Sequence, residues 1–207
     1  KAIAAYERRL VSYETPFDRF VAALANHDTQ GQQALTPAQQ RGLRLFIGKA
    51  RCRNCHAGPN FTDSEFHDTG VPPLRGNLPK DAGRYQGLAE LKSNPFRAGG
   101  SFSDAPNAAA AKRLSFLQQK SEQWAQFKTP TLRQVTRTAP YMHQGQFETL
   151  TEVLDFYNTL NKQVRLGHHQ DPLLQPLELA TEELQDLLAF LESLTGPDLP
   201  AGLLGPI

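Results

Sequence analysis

Apolar positions recur at helical spacing toward both ends of the chain and lose their period in between. Residues 1–11 place Ile3, Tyr6, Leu10 and Val11 on one helical face, and Thr15-Pro16 separates them from a second stripe of Phe17, Phe20, Val21 and Leu24. Residues 26–31 read as a polar loop. Leu35-Thr36-Pro37 then starts a helix, with Thr36 as N-cap and Pro37 in the first turn, and Gly42, Leu43, Leu45, Phe46 and Ile47 carry it toward Cys52. Thr149 with Glu152 makes a capping box for a helix bearing Leu150, Val153, Leu154, Phe156 and Tyr157. The last helix is expected to have Thr181 as its cap, Glu182 and Glu183 at its positive end, and a buried stripe of Leu184, Leu187, Leu188, Leu191 and Leu194. Gly196-Pro197 stops it.

Between residues 58 and 111, turn signals crowd together: Gly58-Pro59, Pro72-Pro73, Gly76-Asn77, Asn94-Pro95 and Gly99-Gly100. So long a stretch without periodicity is disordered, a linker, or wrapped around something that supplies the missing core, and the third option fits a bound cofactor. A short helix is expected within 108–126, then a loop interrupted by Pro and Thr over 127–145. Strand-type alternation is nearly absent, so the expected class is all-α with long irregular loops.

The composition narrows the function. Lys plus Arg number 22 and Asp plus Glu 21 in 207 residues, a net charge of +1 that argues against bulk nucleic-acid binding. Mean hydropathy is -0.49, and no apolar run approaches the roughly 20 residues of a membrane-spanning helix, so no membrane span is expected. Charge is uneven. Residues 107–146 hold Lys112, Arg113, Lys120, Lys128, Arg133 and Arg137 against Glu122, whereas residues 171–198 hold seven acids and no base. The basic stretch suits an acidic redox partner, a solvated face, or a docking surface for another domain.

Two cysteines cannot build a disulfide framework, and these two lie three positions apart in Cys52-Arg53-Asn54-Cys55-His56. That pentapeptide is the haem c attachment signature. Thiols at i and i+3 reach the two vinyl groups of one porphyrin, and His56 then lies under the iron as proximal ligand. Attachment of one haem c per chain consumes both thiols. Competing readings are a zinc site using Cys52, Cys55, His56 and His67, which lacks a second cysteine pair, and a redox dithiol, which lacks a βαβ context.

The resemblance extends well past the pentapeptide. Leu35-Thr36-Pro37, Arg41 to Phe46, Gly58-Pro59-Asn60-Phe61-Thr62-Asp63, Phe66-His67 and Gly70-Val71-Pro72 resemble the C-terminal haem domain of the bacterial di-haem cytochrome c peroxidase and MauG superfamily. So do Phe127 to Arg133, Thr138 to Gly145 and Thr149-Leu150. The resemblance implies a cytochrome c-like all-α domain over 35–207, preceded over 1–34 by the helices that link the two halves in that family. Members carry two CxxCH motifs and this chain has one, so the N-terminal haem domain, where the family keeps its peroxide-reacting haem, is expected to lie outside this sequence. The chain then reads as the electron-transferring half; a standalone monohaem electron carrier is the alternative.

The group opposite His56 decides what such a haem does, because a thioether stabilises ferrous iron whereas a phenolate stabilises ferric and higher states. Met142, Tyr157, His143, His168 and His169 are the candidates. In the family the ligand lies in the helix after the Thr-Leu pair, where peroxidases place Met and MauG-type enzymes Tyr. Tyr157 holds that place here, with Met142 as the alternative. The resemblance also implies calcium bound through Thr138 and Pro140, with the remaining ligand from the missing half. Arg133 is expected either to hydrogen-bond a haem propionate or to be a surface charge, and Trp124 either to relay oxidising equivalents or simply to pack. The implied partners are a second haem domain or chain and a protein redox partner: a small cytochrome, a cupredoxin or a protein substrate. The expected compartment is the periplasm.

Overall fold

The computed structural model describes residues 2–11, 14–76, 79–165, 171–199 and 201–203. In chain order the helices are α1 (Ala2–Glu7), α2 (Pro16–Ala25), α3 (Pro37–Ile47), α4 (Arg84–Ser93), α5 (Ala109–Ser115), α6 (Leu150–Thr159) and α7 (Thr181–Glu192). Two short strands, β1 (Phe66–His67) and β2 (Phe127–Lys128), pair antiparallel. By internal contacts the chain divides into two units. Unit 1 is Lys1–Asp63, Pro130–Leu160 and Gln175–Ile207; unit 2 is Ser64–Thr129 and Asn161–Leu174. Among the described residues no helix is long and apolar enough to cross a membrane.

Unit 1 is built on α3 against α7. Thr36 caps α3 through a reciprocal box with Gln39, which satisfies two of the backbone donors left over at a helix start. Gly42 lets the two helices approach closely: a Cβ there would lie 1.9 Å from the Asp186 carbonyl oxygen and 2.7 Å from Cβ of Phe190. Beside that crossing Arg41 grips Asp186 with Nε and Nη2, at 2.6 and 2.7 Å. The core behind it joins Phe46, Phe61, Val135, Leu150, Leu154, Leu187, Phe190 and Leu194. Phe190 and Leu194 are fully buried, each worth roughly 1.5–3 kcal/mol over leaving the side chain in water. The rings of Phe17, Phe46, Phe61 and Phe190 meet mostly edge to face, with centroids 5.0–6.4 Å apart.

Unit 2 has a thinner core, with Val71, Ala82, Leu88 and Ala125 as its buried apolar residues among those described. Backbone pairing holds much of it. Phe66 and His67 pair with Lys128 and Phe127, the Thr129 amide donates to the Glu65 carbonyl, and the Arg84 amide to the Gln126 carbonyl.

The structure corrects several sequence expectations. Helix α1 stops at Glu7, and Ile3 and Val11 of the expected stripe are 75% and 56% exposed, without an apolar cover among the described residues. The helix expected within 108–126 is only Ala109–Ser115, with a 3-10 turn at Ser121–Gln123. Its start has no side-chain cap, and Phe116 at its end is 71% exposed. Helix α4 lies inside the segment that shows no period, because Gly87 and polar residues leave only Tyr85, Leu88 and Leu91 to mark a face. In α7 the N-cap is Ala180, and the Glu183 carboxylate accepts the Ala180 amide at 2.9 Å. Leu194 lies just beyond that helix.

Candidate functional site

The end of α3 delivers Cys52 into a single tight turn. Arg51 takes a left-handed conformation (φ 55°), and Cys52–Asn54 then wind as a 3-10 turn. The Cys55 and His56 amides both donate to the Cys52 carbonyl, at 3.3 and 2.8 Å. Neither cysteine is in a disulfide, and the two thiols share one turn, with the imidazole next in line. Burial pushes the Cys52 thiol up to about 12, the opposite of the lowered value a redox dithiol needs.

The loop after His56 folds back on it. The Phe61 amide donates to Gly58, Thr62 to Ala57 and Asp63 to Cys55, and Phe61 is left-handed with φ 51°. This turn sets the Phe61 carbonyl oxygen 2.9 Å from Nδ1 of His56. A carbonyl only accepts, so Nδ1 carries a proton, and in the neutral ring Nε2 then has the lone pair. That is the tautomer a metal-bound histidine requires, with its other nitrogen fixed by a backbone acceptor.

The stretch from Thr131 to Arg133 fastens this loop. Thr131 Oγ1 donates to the Asn60 carbonyl at 2.6 Å, and Arg133 Nε to the Pro59 carbonyl at 2.7 Å. Both terminal nitrogens of Arg133 reach Asp18, at 2.9 Å each, and the guanidinium lies 5.8 Å from the Phe61 ring centroid. Asp18 also accepts the amide and hydroxyl of Thr15. The Arg133 guanidinium, bonded to Asp18, holds that carboxyl below its usual range, against the opposing effect of burial. Arg133 is therefore largely buried and paired, with both terminal nitrogens on Asp18 and Nε on the Pro59 carbonyl.

The other expected site residues are placed as follows. Tyr157 sits in the last turns of α6, half-buried, its ring 5.2 Å from that of Phe156 and its carbonyl accepting the Leu177 amide. Asn158 holds Leu179 through both its amide and its carbonyl, at 2.7 and 3.1 Å. Met142 is half-buried and left-handed in the turn between Tyr141 and Phe147, which bridge each other. His143, in the same turn, is exposed and lies 3.4 Å from Gln146 Nε2. Thr138 and Pro140 are exposed after the turn at Val135–Arg137. All of these belong to unit 1, with Cys52, Cys55 and His56. Trp124 belongs to unit 2, 40% exposed against Tyr85, and there His67 pairs through Nδ1 with Asp171. His168 and His169 lie outside the described residues.

Two contributors were not visible in the sequence as site residues. Phe61 acts through a carbonyl, which no side-chain pattern encodes. Asp18 reads only as the third residue of a capping box; its pairing with Arg133, 115 positions away, leaves no local signal. The basic stretch is also partly neutralised within the unit, by Arg133 with Asp18 and Arg137 with Asp198.

No family model matches the chain. It is 38% identical over 200 residues to the cytochrome-c peroxidase IdrP1 of Pseudomonas sp. strain SCT, covering 94% of this chain and 48% of that protein. It is 36% identical over 209 residues to the methylamine utilization protein MauG of Methylorubrum extorquens, covering 96% and 46%. Among solved structures it matches a MauG-like protein associated with microbial copper homeostasis, at 26% identity and a TM-score of 0.66, over 96% of this chain and 56% of the other. The chain spans about half the length of the curated relatives it matches, and it belongs to the cytochrome c peroxidase and MauG family.

Proposed function

We propose that this chain is the C-terminal, electron-transferring half of a di-haem peroxidase or MauG-like oxidoreductase. In this reading it holds one haem c through thioether bonds from Cys52 and Cys55, with His56 as axial ligand. The observation that carries the reading is the Phe61 carbonyl on Nδ1 of His56, which presents Nε2 as the donor atom. The two thiols on one turn fit the same group. Bound there, a haem supplies a one-electron couple. The protein's own part is to fix the imidazole plane through the loop at 57–62 and to shield the face beside it with the core of unit 1.

Tyr157 is proposed as the second axial ligand on the strength of the family position, with Met142 as the competing donor. Thr138 and Pro140 are proposed to offer carbonyls to calcium only in the assembled two-domain protein. Trp124 is proposed as a relay residue toward a protein partner. The proposed compartment is the periplasm, since thioether attachment is completed outside the cytoplasm.

Expression with c-type maturation tests the proposal. A pyridine haemochrome of c type and a mass raised by one macrocycle are expected, both lost when Cys52 and Cys55 are changed to Ser; colourless protein of unmodified mass refutes it. Tyr157→Phe is expected to change the ferric absorption spectrum, and an unchanged spectrum rejects the phenolate. Peroxide turnover should require a second haem domain, so peroxidase-like rates from this chain alone would overturn the relay role.

A further inference from the structure

Unit 2 contains a cavity of about 620 Å³ between the end of α4, α5 and the segment that joins them. Leu91, Leu114 and Leu117, all half-buried, give it an apolar floor, and Lys92, Arg97 and Lys112 line it with three cations. Among the described residues no acidic side chain lines it. The volume falls within the range of small-molecule sites, about 300–1,000 Å³, and the cavity is open to solvent with a lining more polar than apolar.

Helix ends explain two of the cations. Lys92 and Lys112 stand in the last turns of α4 and α5, where positive charge meets the negative end of the helix dipole. Arg97 has no such reason to be there. It lies in the bend after α4, is half-buried, and among the described residues makes no ion pair. Backbone bonds build its position: its amide donates to Asn94 at 3.2 Å and its carbonyl accepts from Gly100 at 2.8 Å. Gly99 (φ +81°) brings the bend onto α5, where a Cβ would lie 2.9 Å from that of Ala111. Arg97, half-buried as a residue and without a carboxylate partner among the described residues, has guanidinium donors left for an acceptor from outside the chain.

We infer that this cavity binds a small organic anion, with two or more acidic groups on a short apolar body. The acidic groups would engage Arg97 and Lys112, and the body would cover Leu91, Leu114 and Leu117. The inference is independent of the haem reading, because every lining residue lies in unit 2 and none is a proposed haem ligand.

Equilibrium dialysis of the haem-loaded chain against naphthalene-1,5-disulfonate tests it. Saturable binding of one equivalent is expected, with neutral naphthalene and inorganic sulfate each bound much more weakly. The double variant R97Q/K112Q should weaken disulfonate binding by about tenfold or more, the scale of a lost charge-assisted contact. The double variant R113Q/K120Q removes equal charge from residues outside the cavity lining and should stay within about twofold of wild type at the same salt. No saturable binding by wild type overturns the proposal. So does R97Q/K112Q binding as wild type does, or equal losses from both double variants, which would mark general surface electrostatics.

Discussion

Replacing Gly42 with Ala should loosen the contact between α3 and α7 on which unit 1 rests. The added Cβ would stand 1.9 Å from the Asp186 carbonyl oxygen and 2.6 Å from its carbon, where ordinary contact needs about 3.5 Å. The obstacle is backbone, so no rotamer change relieves it, and the helices must separate by roughly 1.5 Å. Overpacking of this kind costs about 1–3 kcal/mol, and a rigid backbone opponent places it at the upper end. Alanine returns about 1 kcal/mol of helix propensity, which leaves a net loss of about 2 kcal/mol. At roughly 2–4 °C per kcal/mol for a chain of this size, Tm should fall by about 4–8 °C. Gly87 in α4 is the control, being exposed with nothing within 4 Å of its missing Cβ. There Ala should stabilise by about 0.5–1 kcal/mol. Thermal unfolding of both variants of the haem-loaded chain, followed by far-ultraviolet circular dichroism, decides the matter. If Gly42→Ala is as stable as wild type, or the two glycines respond alike, the close approach of α3 and α7 is wrong.

The ionic contacts and the core give further tests. Asp18 is held below the ordinary aspartate value of 3.8, chiefly by its hydrogen bond to Arg133. The stability it contributes is therefore present above about pH 4 and disappears as pH falls through its folded value, so the deficit of Asp18→Asn in urea unfolding should be large at pH 7 and shrink below pH 4. Asp68 is shifted the other way, mainly by burial, so its ionisation opposes folding as pH rises past 3.8. Asp68→Asn keeps an acceptor for the Gly70 amide, and should be neutral or stabilising at pH 7 by the same assay. Leu187 is 1% exposed, and Leu187→Ala should lose about 2–5 kcal/mol in urea midpoint analysis.

Particular residues show why some of this was legible in the sequence and some was not. The Thr36 and Thr149 caps are local chemistry, a hydroxyl before a helix start, and both form; the Thr149–Glu152 box is the one the sequence implies, and Gln39 completes a second box at Thr36. The leucine stripe of α7 marks its buried face through Leu187 and Leu191, yet Phe190, completely buried, falls off the leucine repeat and completes the face. Helix α4 is invisible because Gly87 and the polar residues around Leu88 erase its amphipathic signal; the Gln126 carbonyl and the Ala125 amide, distant in sequence, hold the backbone at its start instead. At the candidate site, the spacing of Cys52, Cys55 and His56 is written in the chain. The tautomer of His56 is not, because a carbonyl sets it and its position depends on a left-handed residue five places on.

That dependence on one backbone conformation has its own consequence for stability. Phe61 does two things: its ring fills the aromatic cluster at 5% exposure, and its φ of 51° turns the carbonyl toward His56. Truncation of the ring costs about 3–5 kcal/mol whichever small residue replaces it. The two smallest replacements then differ in the backbone alone. In an ordinary conformation glycine is the worse choice, because its unfolded chain is freer by about 0.5–1 kcal/mol. In the left-handed region alanine pays about 1–2 kcal/mol that glycine avoids. Phe61→Gly should therefore equal or exceed Phe61→Ala in stability, a reversal of the usual order, and it should better retain the absorption spectrum of the haem-loaded chain. If alanine is the more stable by the usual margin, residue 61 is not left-handed, and the carbonyl that fixes the His56 tautomer is not where the structure puts it.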